Sequence, residues 1–173
     1  MFSRMLADVL RWARPAVTAL AVLLVGLGPS VGVVDASTSA TVRSVTIMNE
    51  SSQTIDLAIV KKWGSPCGGP NWYFAGWWTL DPGQSERFQT TSSLFYYHGK
   101  GVDGGVWDGN DGVDEQVTMY ASPTRFEWCE SSSGGWYAAG TGEPRVIGPD
   151  DYEIKLRKVD LSEYRSYTQR LTG

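Results

Sequence analysis

Nucleophilic catalysis needs a serine, cysteine or threonine with a base aimed at it. The chain has one histidine, His98, and residues 37–173 contain no Gly-x-Ser-x-Gly turn to present a serine. His98 ends the aromatic run Leu94 to His98 and reads as a packed or rim residue. Glycoside hydrolysis needs two carboxylates across a cleft, but the acids here fall in loops or on the polar side of alternating segments, the pattern of a solvated surface. The densest acidic stretch, residues 103–115, mixes glycine with Asp108, Asn110 and Asp114. Calcium takes several oxygens from such a loop, so these three are the candidate metal ligands and calcium the one candidate cofactor. The spacing departs from the EF-hand, because Gly112 comes one residue early and no glutamate closes the loop.

Cys67 and Cys129 are the two cysteines. Neither has a ligand partner at zinc spacing. In an exported chain an even pair forms a disulfide. Closing a loop of that length stabilises by roughly 4 kcal/mol in the chain-entropy model.

The most abundant chemistry is aromatic. Eight tryptophans and eight tyrosines exceed what one sandwich core uses. Tyr73, Trp77, Trp107, Trp136 and Tyr137 fall on a strand's second face or in loops. They are the candidate ligand-binding set, able to stack on sugar rings or on a lipid interface.

The elements that position these residues start with a leader. Arg4, Arg11 and Arg14 precede an apolar run, Ala16 to Leu27; Gly28-Pro29 breaks it, and Val34-Asp35-Ala36 offers small residues for cleavage. The run is about a dozen residues, short of the roughly 20 a membrane span needs, so residues 1–36 read as a signal peptide. The chain carries 15 basic and 19 acidic residues. Losing Arg4, Arg11, Arg14, Asp8 and Asp35 moves the net charge from −4 to −5. An acidic domain without a basic run argues against nucleic acid as a partner. The expected location is secreted, periplasmic or cell-envelope, with no transmembrane segment after cleavage, and the expected state is a monomer.

Residues 37–41 read as a linker and 42–158 as the domain. Trp72 to Leu80 is the densest strand; strict alternation places Trp72, Phe74, Gly76, Trp78 and Leu80 on one face and Tyr73, Ala75, Trp77 and Thr79 on the other. Pro82-Gly83 follows as a type II turn. Val42–Met48 and Thr54–Lys62 alternate cleanly and are close enough to form a hairpin. Further short strands are expected near residues 85–89, 94–98, 117–120, 125–129 and 152–158. Asp160-Leu-Ser-Glu163 has capping-box spacing and predicts a short C-terminal helix or tail over 159–173. The fold class expected is all-β: an antiparallel sandwich or flattened barrel of about seven to eight short strands.

The order of motifs resembles a family of small secreted bacterial proteins, domain of unknown function 1036. Its pattern runs through Asn49-Glu50-Ser51, a strand around Ala58, Gly-Trp-Trp-x-Leu-x-Pro-Gly at 76–83, Phe95-Tyr96-Tyr97, Trp107-Asp108-Gly109, then Phe126 with Cys129, and a closing strand near Leu156. The cysteines depart from it: Ser85 stands where family members often have cysteine after the turn, so a Cys67–Cys129 pair is this chain's own. The resemblance implies a β-fold and export; it brings no activity and no catalytic residue. The function expected is a non-catalytic binding module for an extracellular or envelope ligand, a glycan among the candidates. The alternative is a structural or protein-interaction component of the envelope.

Overall fold

The computed structural model describes residues 40–63, 66–69, 71–108 and 117–173. The expected signal peptide and two of the candidate calcium ligands, Asn110 and Asp114, lie outside the described residues.

The described chain is all-β. Eleven strands follow in order: β1 (Arg43–Asn49), β2 (Ile55–Lys62), β3 (Trp72–Leu80), β4 (Ser85–Thr90), β5 (Leu94–Gly101), β6 (Val106–Trp107), β7 (Val117–Ala121), β8 (Phe126–Glu130), β9 (Trp136–Ala138), β10 (Tyr152–Asp160) and β11 (Ser166–Leu171). They form two sheets. The small one has the order β11-β1-β4; the large one runs β7-β10-β5-β2-β3-β8-β9, with β6 beside β5. Every pairing is antiparallel except β1 with β11. The expected β1–β2 hairpin does not form, because β1 joins the small sheet and β2 the centre of the large one.

The two sheets enclose the first core. Val45 and Ile47 of β1, Phe88 of β4 and Leu171 of β11 meet Ile55, Leu57 and Ile59 of β2 and Phe95 and Tyr97 of β5. A second core fills the opposite face of the large sheet. Ala58, Val60, Phe74, Phe126, Ala121, Ile154 and Leu156 come from both flanks of the strand order, so the sheet curls over on itself. That is why Ala58 and Val60, on the supposedly polar side of β2, are buried too. Arg145, in the segment between β9 and β10, ties the flanks together. Its guanidinium lies 3.7 Å from the Trp128 ring, donates to the Tyr120 carbonyl at 2.8 Å and pairs with Asp151 at 3.1 Å.

Two further expectations need correction. The C-terminal segment is a strand. Asp160 does accept from a backbone amide, Ser162 N–H at 2.7 Å, but it caps a turn, and the chain then runs extended beside β1. Tyr167 and Leu171 point to the first core from that strand, while Thr168 and Arg170 stay exposed. Alternation along β3 also breaks. Leu57 faces Trp78 while the next residue, Ala58, faces Gly76, so Trp77 is the extra residue of a bulge. Trp78 and Leu80 therefore leave the Trp72/Phe74 face, and Trp77 joins it.

Cys67 and Cys129 form a disulfide with a Cα–Cα distance of 5.4 Å, tying the loop before β3 to β8. The other tie is a side-chain amide. Asn49 is fully buried; its Nδ2 donates to the Gln53 and Leu80 carbonyls, both at 2.8 Å, and its Oδ1 accepts from Ser51 N–H at 2.9 Å and Ser51 Oγ at 2.7 Å. Its own backbone pairs with the Pro82-Gly83 turn, through Gly83 N–H and the Gln84 carbonyl. Asn49→Ala strands a carbonyl at the end of β3 and an amide in the β1–β2 turn, and should cost about 2–4 kcal/mol in urea unfolding. Asn49→Asp should cost a similar amount, because a carboxylate cannot donate to the two carbonyls; a loss under about 0.5 kcal/mol for either variant contradicts the role given to the amide.

Candidate functional site

Two pockets lie toward opposite ends of the curled sheet's strands. At the first end, β2 supplies Asp56, β3 supplies Trp77, β5 supplies Lys100 and β10 supplies Tyr152, with Pro123 from the turn after β7; the open cleft has a volume of ≈ 360 Å³. The bulge at Gly76–Trp77 places the indole here. Gly76 sits against Ala58 and the Phe126 ring, which leaves no room for a side chain. Trp77 Nε1–H donates to the Ser122 carbonyl at 2.9 Å, fixing the ring's orientation. Tyr152 lies parallel to it, with centroids 6.3 Å apart and planes within 4°.

Polar groups flank the two rings. Asp56 and Lys100 are directly opposite each other on β2 and β5. Asp56 accepts from Thr79 Oγ1 at 2.9 Å. Burial pushes the Tyr152 phenol up, and the Asp56 charge adds to the shift, so the hydroxyl stays a donor at any physiological pH. Behind Trp77, His98 is buried and edge-on to the indole at 5.9 Å. Its Nδ1 is 2.8 Å from the Lys155 carbonyl. A carbonyl only accepts, so the neutral ring carries its proton on Nδ1.

The five candidate aromatics do not share one surface. Trp77 lines the cleft just described. Trp136 lines a second, apolar pocket at the other end of the curl, and with Tyr137 borders a third hollow in the Ser131–Arg145 region. Tyr137 donates its hydroxyl to the Cys67 carbonyl at 3.2 Å. Tyr73 is buried beside the disulfide; burial and then the Glu127 carboxylate push its pKa up, and the Lys61 ammonium lies 5.8 Å from its ring. Trp107 packs on the first core and donates Nε1–H to the Thr172 carbonyl at 2.8 Å. Asp108, the one candidate calcium ligand inside the described residues, follows it directly. Among the described residues no three His, Cys, Asp or Glu side chains cluster closely enough to hold a metal ion, and no helix is long and apolar enough to cross a membrane.

Sequence reasoning missed Tyr152, Asp56 and Lys100. Tyr152 was legible only as the first member of the Tyr152/Ile154/Leu156 face, which gave no reason to pair it with Trp77. Asp56 and Lys100 are 44 positions apart, and only the β2–β5 register brings them together.

Two outcomes follow from this geometry. A Cβ at residue 76 would stand 2.8 Å from the Ala58 Cβ and 3.2 Å from Phe126 Cζ. Gly76→Ala should therefore destabilise by about 1–3 kcal/mol, and Ala58→Gly in the same chain should recover part of the loss. Burial lowers the His98 pKa, outweighing the opposing Lys155 carbonyl bond and Asp108 charge. The unfolded chain then binds this proton more readily than the folded one. The stability this neutral ring contributes is fully present above about pH 6.5 and is lost as the pH falls through the lower folded value. Melting temperatures between pH 7.5 and 5 should fall less steeply for His98→Gln than for the unmodified protein; equal slopes contradict the buried neutral imidazole. No protein-family model matches the chain, and no curated protein matches it, so these side chains are the ground for any functional reading.

Proposed function

We propose that this chain is an exported, non-catalytic binding module whose cleft at Trp77 and Tyr152 takes a saccharide-class ligand. The observation that carries this is the parallel pair of rings beside Asp56 and Lys100 in an open cleft of ≈ 360 Å³. A pyranose has an apolar C–H face and a rim of hydroxyls; an indole or phenol plane suits the first, and a carboxylate with an ammonium suits the second. The Cys67–Cys129 disulfide fits an oxidising compartment, in agreement with the leader read in residues 1–36. The sole imidazole has its Nδ1 committed to a backbone carbonyl and is screened by Trp77, which supports recognition over catalysis. Weak calcium binding by Asp108, Asn110 and Asp114 stays part of the proposal.

A second reading, a protein-contact component of the envelope, is favoured by Val146 and Ile147, exposed at 83% and 56% in the segment that follows Arg145.

A glycan array with purified protein, followed by calorimetry on the best hit, tests the first reading. Trp77→Ala should weaken binding at least about tenfold, the scale of an aromatic anchor, and Asp56→Asn should weaken it less. Trp136→Phe, in the pocket at the other end of the curl, should leave it unchanged. An array without hits, or a hit indifferent to Trp77 in a variant whose circular dichroism is intact, rejects the saccharide cleft. Capture of an envelope protein that is lost in Val146→Asp/Ile147→Asp would select the second reading.

A further inference from the structure

The pocket at the other end of the curl has a different chemistry. Its volume is ≈ 220 Å³, and its walls include Trp72, Tyr96, Trp136, Met119 and Leu156, with Glu130 as its one carboxylate. Trp72 and Tyr96 come from strands on either side of β2 and stand as two inclined walls, centroids 5.6 Å apart and planes at 58°. Trp136 closes the corner from β9, held edge-on to Phe74 at 6.2 Å. Glu130 lies directly opposite Trp136 in the β8–β9 register and has no ion-pair partner among the described residues.

Aromatic faces carry negative potential, and a ring-lined corner attracts a cation that has shed part of its water. The chain already shows this at the same ring: the Lys62 ammonium sits over Trp72, 4.9 Å from its centroid. A lysine ammonium is strongly hydrated and enters an apolar pocket at a cost, whereas a methylated ammonium presents C–H groups to the walls and spreads its charge. Met119 and Leu156 suit those methyl groups, and Glu130 suits the charge. We infer that this pocket is an aromatic cage for a quaternary ammonium group of the choline type. It lies apart from the Trp77 cleft and does not depend on that cleft's ligand.

The test uses choline and its neutral isostere 3,3-dimethylbutan-1-ol, which keeps the shape and loses the charge. Each is titrated into the full exported protein, with tryptophan fluorescence and methyl NMR as readouts. Choline should bind saturably and the isostere roughly tenfold more weakly. Glu130→Gln should weaken choline several-fold and leave the isostere unchanged. Trp136→Leu, which keeps an apolar wall without a π face, should do the same. Equal binding of the two probes overturns the cage and leaves a plain apolar pocket; no binding of choline overturns it as well. Because the probe comparison needs no variant, a folding defect in Trp136→Leu leaves the question decidable. Phosphatidylcholine vesicles separate the sources of the group. Co-sedimentation that choline blocks assigns a lipid headgroup, and choline binding without co-sedimentation assigns a small soluble cation. Trp77→Ala should not alter choline binding, so failure here and failure of the saccharide cleft are read independently.

Discussion

One buried amide holds the two ends of this fold's first half in place. Asn49 ends β1, and its side chain reaches into the β2 entry and the end of β3 at once. An asparagine is suited to the task because it offers two donors and an acceptor in one plane and carries no charge to desolvate. With both donors and the acceptor engaged inside the protein, burial of the amide is compensated. The small sheet is hinged to the large one at this point, since β1 belongs to one and Leu80 to the other. The Pro82-Gly83 turn then gains a fixed partner in the Asn49 backbone, which sets where β4 begins.

Much of this was legible in the sequence because strands that face a core on one side alternate with period two. The Val45/Ile47 and Phe95/Tyr97 faces follow from that rule, and so does the cysteine pair once the chain is read as exported. The Trp72–Leu80 strand misled because a bulge adds one residue and exchanges the faces beyond it. Period alone does not reveal a bulge; the glycine before Trp77 was the available sign. The C-terminal strand was hidden by Asp160 and Glu163. Their spacing serves a helix start, but an aspartate satisfies a turn amide equally well, and the parallel partner β1 lies far away in sequence. The candidate site was half visible. Trp77 was named from its type and position, while Tyr152, Asp56 and Lys100 are defined by sheet curl and register, which are long-range properties.

The curl has its own energetic logic. A large twisted sheet with apolar residues on both faces must cover both, and this chain has only a small sheet for one of them. Folding the flanks inward buries the second face, and Arg145 bridges the flanks where no ladder does. Stacking on Trp128 lets the guanidinium lose water without losing all favourable contact, and Asp151 supplies the opposite charge at low exposure. The two pockets lie where this closure is incomplete, which is why one sheet carries one polar and one apolar hollow.

The parallel pairing of β1 with β11 has a consequence for how the molecule is made. Ser44 pairs with Ser166 and Asn49 with Leu171, so β1 waits for a strand that comes much later in the chain. Until β11 arrives, β1 has an open edge and the first core lacks Leu171. Closing so long a loop is slow. A small sheet that closes only across so long a separation keeps the first core loosely organised until β11 has been made.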